Sequence, residues 1–173
     1  MIYDERDERD AFIRQSARHL MAAARTAPKG KGLDIIEIAL VMNDDIKRLS
    51  DTLYKLSEEM SHAFMERDAE NILEAEAILL IGTKPHAHGL NCEHCGYPNC
   101  CDKPENTLCA LNVIDVGIAI GSAAAMAADL RIDSRIMFSA GFAAQKMGIL
   151  PHCRMVMALP MSVAAKNPFF DRK

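Results

Sequence analysis

The segment GLNCEHCGYPNCC, residues 89–101, most constrains what this chain can fold into. It holds four of the six cysteines and lies within residues 84–109, a stretch rich in Pro, Gly, His, Asn and Cys that has no hydrophobic periodicity. Such a stretch predicts a long loop, and a long loop inside a compact domain is usually functional. The clustered thiols are compatible with disulfides, a zinc ion, an iron–sulfur cluster or reactive cysteines.

Length and charge argue against the disulfide interpretation. A chain of 173 residues can bury about 70% of its unfolded surface and does not need covalent cross-links to fold. The N-terminus MIYDERDERD is highly charged and lacks the apolar segment of a signal peptide. The apolar run over residues 110–130 contains two aspartates and many small residues, so it is not predicted to span a membrane. We therefore expect a soluble cytoplasmic protein with reduced thiols.

Composition also argues against a nucleic-acid partner. The formal net charge is −4, no Arg/Lys stripe is present, and aromatic residues make up only 5% of the chain, with no Trp. The sequence contains no Ser/His/Asp, Walker, HExxH or GxGxxG pattern, so neither hydrolase nor nucleotide chemistry is indicated. No catalytic residue is predicted.

Hydrophobic periodicity predicts alternating helices and strands. Helices are expected over residues 4–25, 44–66, 110–130 and 135–147, and strands over residues 33–42, 76–84 and 154–159. Asn43 is the predicted N-cap of the second helix, Gly148 follows the last helix, and Pro160 is expected to end the last strand. The third helix has little polar face and is expected to be central and buried.

The alternation indicates one domain, residues 1–173, of α/β or α+β class, in which helices cover one sheet. Residues 84–110 form a cysteine-rich insert within that domain. We find no internal repeat and no low-complexity linker that would divide the chain.

The cysteine spacing is C-x2-C-x4-C, followed directly by Cys101 and, after seven more residues, by Cys109. The two residues between Cys92 and Cys95 let both thiolates reach one metal, and Gly96 relieves the tight backbone. Four thiolates suit tetrahedral zinc or an iron–sulfur cluster and disfavour magnesium and calcium. The second half of the segment is not a zinc knuckle, which favours iron–sulfur.

Some assignments around the cysteines stay open. The nearby His86, His88 and His94 keep a mixed Cys/His zinc site in consideration, although the first two are more simply explained as solvated loop residues. Cys101 either replaces Cys100 as a ligand or is a buried spectator. Cys153 begins a strand pattern and is expected to be a small core residue.

Three motifs carry a family resemblance: NCEHCGYPNCC, CALNVIDVGIAIGSAAAMAADLRIDSRIMFSAG and ALPMSVAAKNPFFDR. They resemble the family of uncharacterised ferredoxin-domain proteins found mainly in anaerobic bacteria and archaea. The cysteine run is similar to the four-iron cluster domains of corrinoid iron–sulfur proteins. This resemblance implies a 4Fe-4S cluster held by Cys92, Cys95, Cys100 and Cys109. The chain departs from that pattern in the extra Cys101 and in the short gap to Cys109.

A second resemblance is to the FMN-dependent nitroreductases. ARTAPKGKG, residues 24–32, looks like the turn that follows their first helix, and IDVGIAIGSAAAMAADLRI is similar to their long central helix. It implies an α+β, nitroreductase-like fold and a homodimer that pairs through the small residues of that helix. It also implies an FMN phosphate near Arg25, Lys29 and Lys31, with Lys166 and Arg172 as further candidates.

Two nitroreductase features are missing, the Arg-rich first strand and the Ser and Asn of the turn, so these cations are equally well explained as solvated loop residues. Three functions follow: an iron–sulfur electron-transfer protein with an unknown redox partner, a non-catalytic module stabilised by zinc or a cluster, and an FMN-dependent reductase.

Overall fold

The structure is a computed structural model that describes residues 1–170. Its helices and strands follow one another along the chain as α1 (Glu5–Thr26), β1 (Ile36–Met42), α2 (Asp44–Met60), α3 (Ala63–Leu73), β2 (Ala77–Thr83), α4 (Ala110–Asp129), β3 (Asp133–Ser134), α5 (Phe138–Lys146) and β4 (Met155–Ser162). Short 3₁₀ turns lie at Gly30–Gly32, Cys100–Asp102 and Pro168–Phe170.

The four strands form one antiparallel sheet in the order β1-β2-β4-β3. Successive side chains of a strand point to opposite faces of the sheet. In β2, Ala77, Leu79 and Ile81 face α1 and α4, whereas Ile78 and Leu80 face α2, α3 and α5. All seven residues of β2 are therefore buried. The predicted α+β fold with a central, helix-covered sheet is confirmed.

The single helix predicted over residues 44–66 is in fact two helices. Asn43 occupies the predicted N-cap position of α2, but its side chain makes no capping hydrogen bond. The helix ends at Met60 because Ser61 adopts the left-handed conformation, with φ 55° and ψ 43°. Its amide donates to the carbonyl of Glu58, and α3 begins two residues later. The apolar spacing continues through this break, so periodicity alone could not reveal it.

The prediction that Pro160 ends the last strand is wrong, because β4 continues to Ser162. Ala158 exchanges two backbone hydrogen bonds with Met137, at 2.8 and 3.0 Å. Pro160, two residues later, faces the same side, where the pairing consists of this bridge and the two-residue strand β3. Proline at this position therefore removes no bond from the continuous ladder between β2 and β4.

Helix α4, which we expected to be central and buried, buries only one face within the described residues. Its buried residues are Asn112, Asp115, Val116, Ala119, Ile120, Ala123 and Ala127. On the opposite face, Val113, Ile114 and Ile118 are 40%, 47% and 39% exposed, and Gly117 and Gly121 share their side. We call these five residues the outer strip of α4. It is an apolar surface that no other part of residues 1–170 covers.

By length and composition alone, α4 could cross a membrane, since it has 20 residues and a mean hydropathy of 1.7. In the fold, however, its inner face packs against the core shared with α1 and β2. Ser122 donates a hydrogen bond to the carbonyl of Ala23 in α1, and Asp115 is buried within the domain.

Candidate functional site

The predicted cysteine loop is present between β2 and α4. It contains the turn Cys100–Asp102 as a short regular segment. All six cysteines are free thiols. Three of the predicted ligands, Cys92, Cys95 and Cys100, are partly exposed, whereas Cys109 is buried. The loop thus presents most of its thiols near the protein surface.

Within residues 1–170, no three side chains of His, Cys, Asp or Glu lie together in an arrangement that could hold a metal ion. The ligand set Cys92, Cys95, Cys100 and Cys109 therefore stays a prediction. The donor chemistry nevertheless fits, because the spacing supplies four thiolates and the loop bends sharply at Gly96, with φ 84°. Metal binding would have to draw the exposed thiols of the loop together.

Backbone amides surround the sulfur of Cys100. The N–H of Asn91 donates to Sγ at 3.4 Å, and the Asn91 side chain accepts from the Cys100 N–H at 2.8 Å. Hydrogen bonding from the Asn91 amide, joined by the amides of Gly89 and Leu90, lowers the pKa of Cys100 despite some desolvation. Amide donors favour a thiolate, and they also tune the potentials of iron–sulfur clusters.

The neighbouring Cys101 has a different environment. It is exposed rather than a buried spectator, and its Sγ lies 3.6 Å from Oδ1 of Asp102. The Cys101 thiol is placed to donate to that carboxylate, whereas the Cys100 sulfur accepts from backbone amides. Of this vicinal pair, Cys100 therefore has the surroundings that suit a metal ligand.

A buried row of three side chains connects the loop with α4. Cys109 is the N-cap residue of α4, and its Sγ lies 3.7 Å from Nδ1 of His88. The other ring nitrogen, Nε2, lies 3.5 Å from Oδ2 of Asp115. The side chains of His88 and Asp115 are 1% and 2% exposed. The expectation of solvated histidines holds for His86 and is wrong for His88.

The buried row is not fully satisfied by hydrogen bonds. His88 Nε2 and Asp115 Oδ2 are close enough for an ion pair but have no hydrogen-bond partner among the described residues, and the same is true of Asn112 Nδ2. An unsatisfied buried polar group costs about 1–3 kcal/mol. Three unsatisfied polar atoms beside Cys109 lower the stability of the fold, which suggests that these polar side chains serve a function.

The buried row continues into the glycine turn, residues 28–32. The N–H of Gly30 donates to Oδ1 of Asp115 at 2.9 Å, and Nζ of Lys31 donates to the carbonyl of His88 at 3.1 Å. A Cβ atom on Gly30 would lie 2.8 Å from Nε2 of His88, so the close approach requires glycine. Contacts to His88 and Asp115 thus connect the turn with the cysteine loop.

The cations predicted to bind a phosphate stabilise the turn itself. Nζ of Lys29 donates to the carbonyls of Ala24 and Arg25 at 2.8 and 3.2 Å, at the end of α1, and burial lowers the pKa of Lys29. Arg25 pairs with Asp34 and with the carbonyl of Ile36. The carbonyl end of a helix carries partial negative charge, which favours a lysine there and disfavours a bound anion.

The charged groups of Arg25, Lys29 and Lys31 are thus all held by acceptors of the chain itself, and their assignment to an FMN phosphate stays a prediction. Lys166 is exposed in the C-terminal segment, away from regular helices and strands. Arg172 lies outside the described residues.

Cys153 is a buried core residue, as expected. Its Sγ is 3.6 Å from Oε2 of Glu37, and burial, reinforced by that carboxylate, raises its pKa to about 12. A Cβ on Gly82 would come within 2.8 Å of this sulfur. The thiol is therefore neutral and tightly packed, which suits a structural role.

Comparison with known sequences gives two matches. A family described as "uncharacterized protein containing a ferredoxin domain" matches residues 105–172, a range that includes Cys109 and begins after Cys101. An uncharacterized protein of Archaeoglobus fulgidus is 38% identical over 182 aligned residues, which cover 99% of this chain and 98% of the relative.

Comparison with solved structures gives flavoproteins of the nitroreductase fold. A BluB-like flavoprotein of Clostridium difficile 630 is similar with a TM-score of 0.63 at 17% identity, over 88% of this chain and 81% of that chain. A nitroreductase with bound FMN from Desulfitobacterium hafniense has a TM-score of 0.60 at 13% identity, over 96% and 81%. The FMN-dependent nitroreductase NfnB of Mycobacterium smegmatis has a TM-score of 0.62 at 11% identity, over 88% and 78%. At these identities the similarity establishes the fold.

Proposed function

Because this chain belongs to the family of uncharacterised proteins containing a ferredoxin domain, we propose that it is an iron–sulfur electron-transfer protein built on a nitroreductase-like fold. The observation that carries the proposal is the environment of Cys100. Its sulfur accepts backbone amide hydrogen bonds from the residues that directly precede Cys92, and such bonds favour a thiolate and tune the potential of a cluster.

We assign Cys92, Cys95, Cys100 and Cys109 as the cluster ligands. A bound cluster would take up and release one electron at a time. The chain contributes the amides around Cys100 and the positive end of α4 beside Cys109, both of which stabilise negative charge on sulfur. Cys101, beside Asp102, is left outside the ligand set.

The cellular compartment and the partners of the protein can be proposed from the same chemistry. Exposed thiols and an oxygen-sensitive cluster require a reducing compartment, so we place the protein in the cytoplasm. Its formal net charge of −4 and its lack of a basic stripe favour a protein redox partner over nucleic acid. We further propose that a second copy of this chain covers the outer strip of α4.

The test is to isolate the protein without oxygen and to analyse iron, acid-labile sulfide and zinc. We expect iron and sulfide in equal amounts and a broad visible absorption that bleaches on reduction. A colourless protein that contains zinc would contradict the proposal and would support the alternative of a zinc-stabilised, non-catalytic module.

An FMN-dependent reductase is the second candidate, favoured by the fold shared with proteins described as flavoproteins. For this candidate we expect FMN to raise the melting temperature with increasing concentration. At a hundredfold excess over Kd the stabilisation is about 2.7 kcal/mol, or roughly 5–10 °C for a chain of this length. The measurement is thermal unfolding of the protein with its metal content held constant.

Lys31→Ala is the informative variant for FMN, because it removes a cation of the turn and its bond to the His88 carbonyl but keeps the contacts of Arg25 and Lys29 at the end of α1. A smaller FMN-dependent shift in this variant would place the flavin at the turn. If millimolar FMN leaves the melting temperature of the unmodified protein unchanged, this candidate is excluded.

A further inference from the structure

We propose that His88, oriented by Asp115, is a positioning residue of the metal centre and donates a hydrogen bond from Nδ1 to the metal-bound sulfur of Cys109. The inference rests on the proposed function, since it takes Cys109 as a ligand. It assigns a role to His88 and Asp115, the two members of the buried row that the ligand set does not use.

The geometry of the imidazole carries the proposal. Nδ1 faces the sulfur of Cys109 at 3.7 Å, and Nε2 faces Oδ2 of Asp115 at 3.5 Å, so each ring nitrogen has one polar neighbour. A metal-bound thiolate has no proton of its own. A hydrogen bond across the contact with Cys109 must then be donated by Nδ1–H of His88. Nε2 of a neutral ring then has only a lone pair, so its contact with Asp115 orients the ring only when a second proton lies between Nε2 and Oδ2. Such a bond favours negative charge on the sulfur, and with it the reduced state of a cluster.

Asp115 is itself held in place. Its Oδ1 accepts the N–H of Gly30 at 2.9 Å, while Oδ2 faces the imidazole. The carbonyl of His88 accepts from Lys31, which fixes the backbone on the other side of the ring. Outer partners of this kind hold ligand side chains in orientation at many metal sites. His88 is 3% exposed and has little freedom to turn away.

The same contacts predict that the glycine turn reports on the metal centre. An added methyl group on Gly30 would lie 2.8 Å from Nε2 of His88 and would push the ring. The nearby Gly32 provides a matched comparison, because a Cβ there has no atom within 4 Å. Alanine at Gly32 would strain the backbone, whose φ is 65°, without touching His88.

The experiment measures the iron and sulfide content, the electron paramagnetic resonance spectrum and the midpoint potential of the anaerobically isolated holoprotein. His88→Leu is expected to retain its iron and sulfide but to shift the midpoint potential downward, because the donor to sulfur is lost. His88→Gln should shift it less, since glutamine keeps an N–H donor on the side chain. Gly30→Ala should change the spectrum, and Gly32→Ala should not.

His86→Leu is the matched control: His86 is exposed in the same loop and meets the ring of His88 edge-on, with ring centroids 5.6 Å apart. Its removal deletes a ring contact but no donor to sulfur, so the midpoint potential should stay close to that of the unmodified protein. An unchanged midpoint potential in His88→Leu would overturn the inference, and if that variant does not fold, an unchanged spectrum in Gly30→Ala would overturn it. Complete loss of the cluster from folded His88→Gln and His88→Leu would also overturn it, because His88 would then be a ligand. An unmodified chain that takes up no iron and sulfide would overturn the proposed function together with this inference.

Discussion

Cys95→Ser is expected to abolish cluster binding while the fold persists. The side chain lies on the loop, partly exposed, and belongs to neither hydrophobic core of the domain. Its loss should therefore leave β2, α4 and the far-UV circular dichroism unchanged. The hydroxyl of serine is a poor replacement for a thiolate that binds iron. Iron and acid-labile sulfide per chain, after anaerobic isolation, should fall to background.

The two adjacent cysteines supply the sharpest control. Cys100→Ser removes the sulfur that accepts the amide of Asn91 and should lose the cluster as Cys95→Ser does. Cys101→Ser changes an exposed thiol beside Asp102 and should keep it. Cys153→Ser, in the core, should also retain the metal. Full iron content in Cys95→Ser, or loss of iron from Cys101→Ser alone, would contradict the ligand set.

The sequence predicted those elements whose cause is local. The stripe of Ile13, Ala17 and Leu20 predicted α1, and the continuous apolar run of β2 predicted a strand buried on both faces. Gly148 follows α5 with φ 75°, as a glycine after a helix commonly does. In each case the hydrophobic pattern and the backbone preference of the residues favour the same structure, so a single sequence was sufficient to predict it.

The prediction errors arise where the local conformation or burial of a residue depends on parts of the chain that are distant in sequence. Ser61 adopts a left-handed conformation that is not typical of serine. Pro160 is tolerated because its backbone nitrogen faces the side of β4 away from β2. His88 stands in a polar loop sequence, and only the packing of Asp115 and Gly30 against it explains its burial. One sequence signal did exist for this site, namely two polar residues, Asn112 and Asp115, within the first half of a mostly apolar helix.

The candidate site was likewise predictable in its chemistry but not in its assembly. The spacing of Cys92, Cys95 and Cys100 indicated a metal, yet it could not distinguish Cys100 from Cys101. That distinction depends on the amide of Asn91, nine residues away, and on the carboxylate of Asp102. The cations of the glycine turn were recognised as a group, but their carbonyl partners at the end of α1 are a property of the folded chain.

Gly121→Leu is expected to weaken the proposed homodimer. Gly121 belongs to the outer strip of α4, and within the chain a Cβ there has no atom within 4 Å, so leucine fits the isolated subunit. Overpacking at a helix contact costs about 1–3 kcal/mol, and a two-fold interface contains the substitution twice. The dissociation constant should rise at least about tenfold, since each 1.4 kcal/mol is a factor of ten.

Sedimentation equilibrium measures the dissociation constant directly. Lys55→Leu is the control for an added surface leucine, because Lys55 is exposed on α2, on the other side of the sheet. An unmodified protein that sediments as a monomer would contradict the dimer, because the outer strip would then have no second copy to cover it.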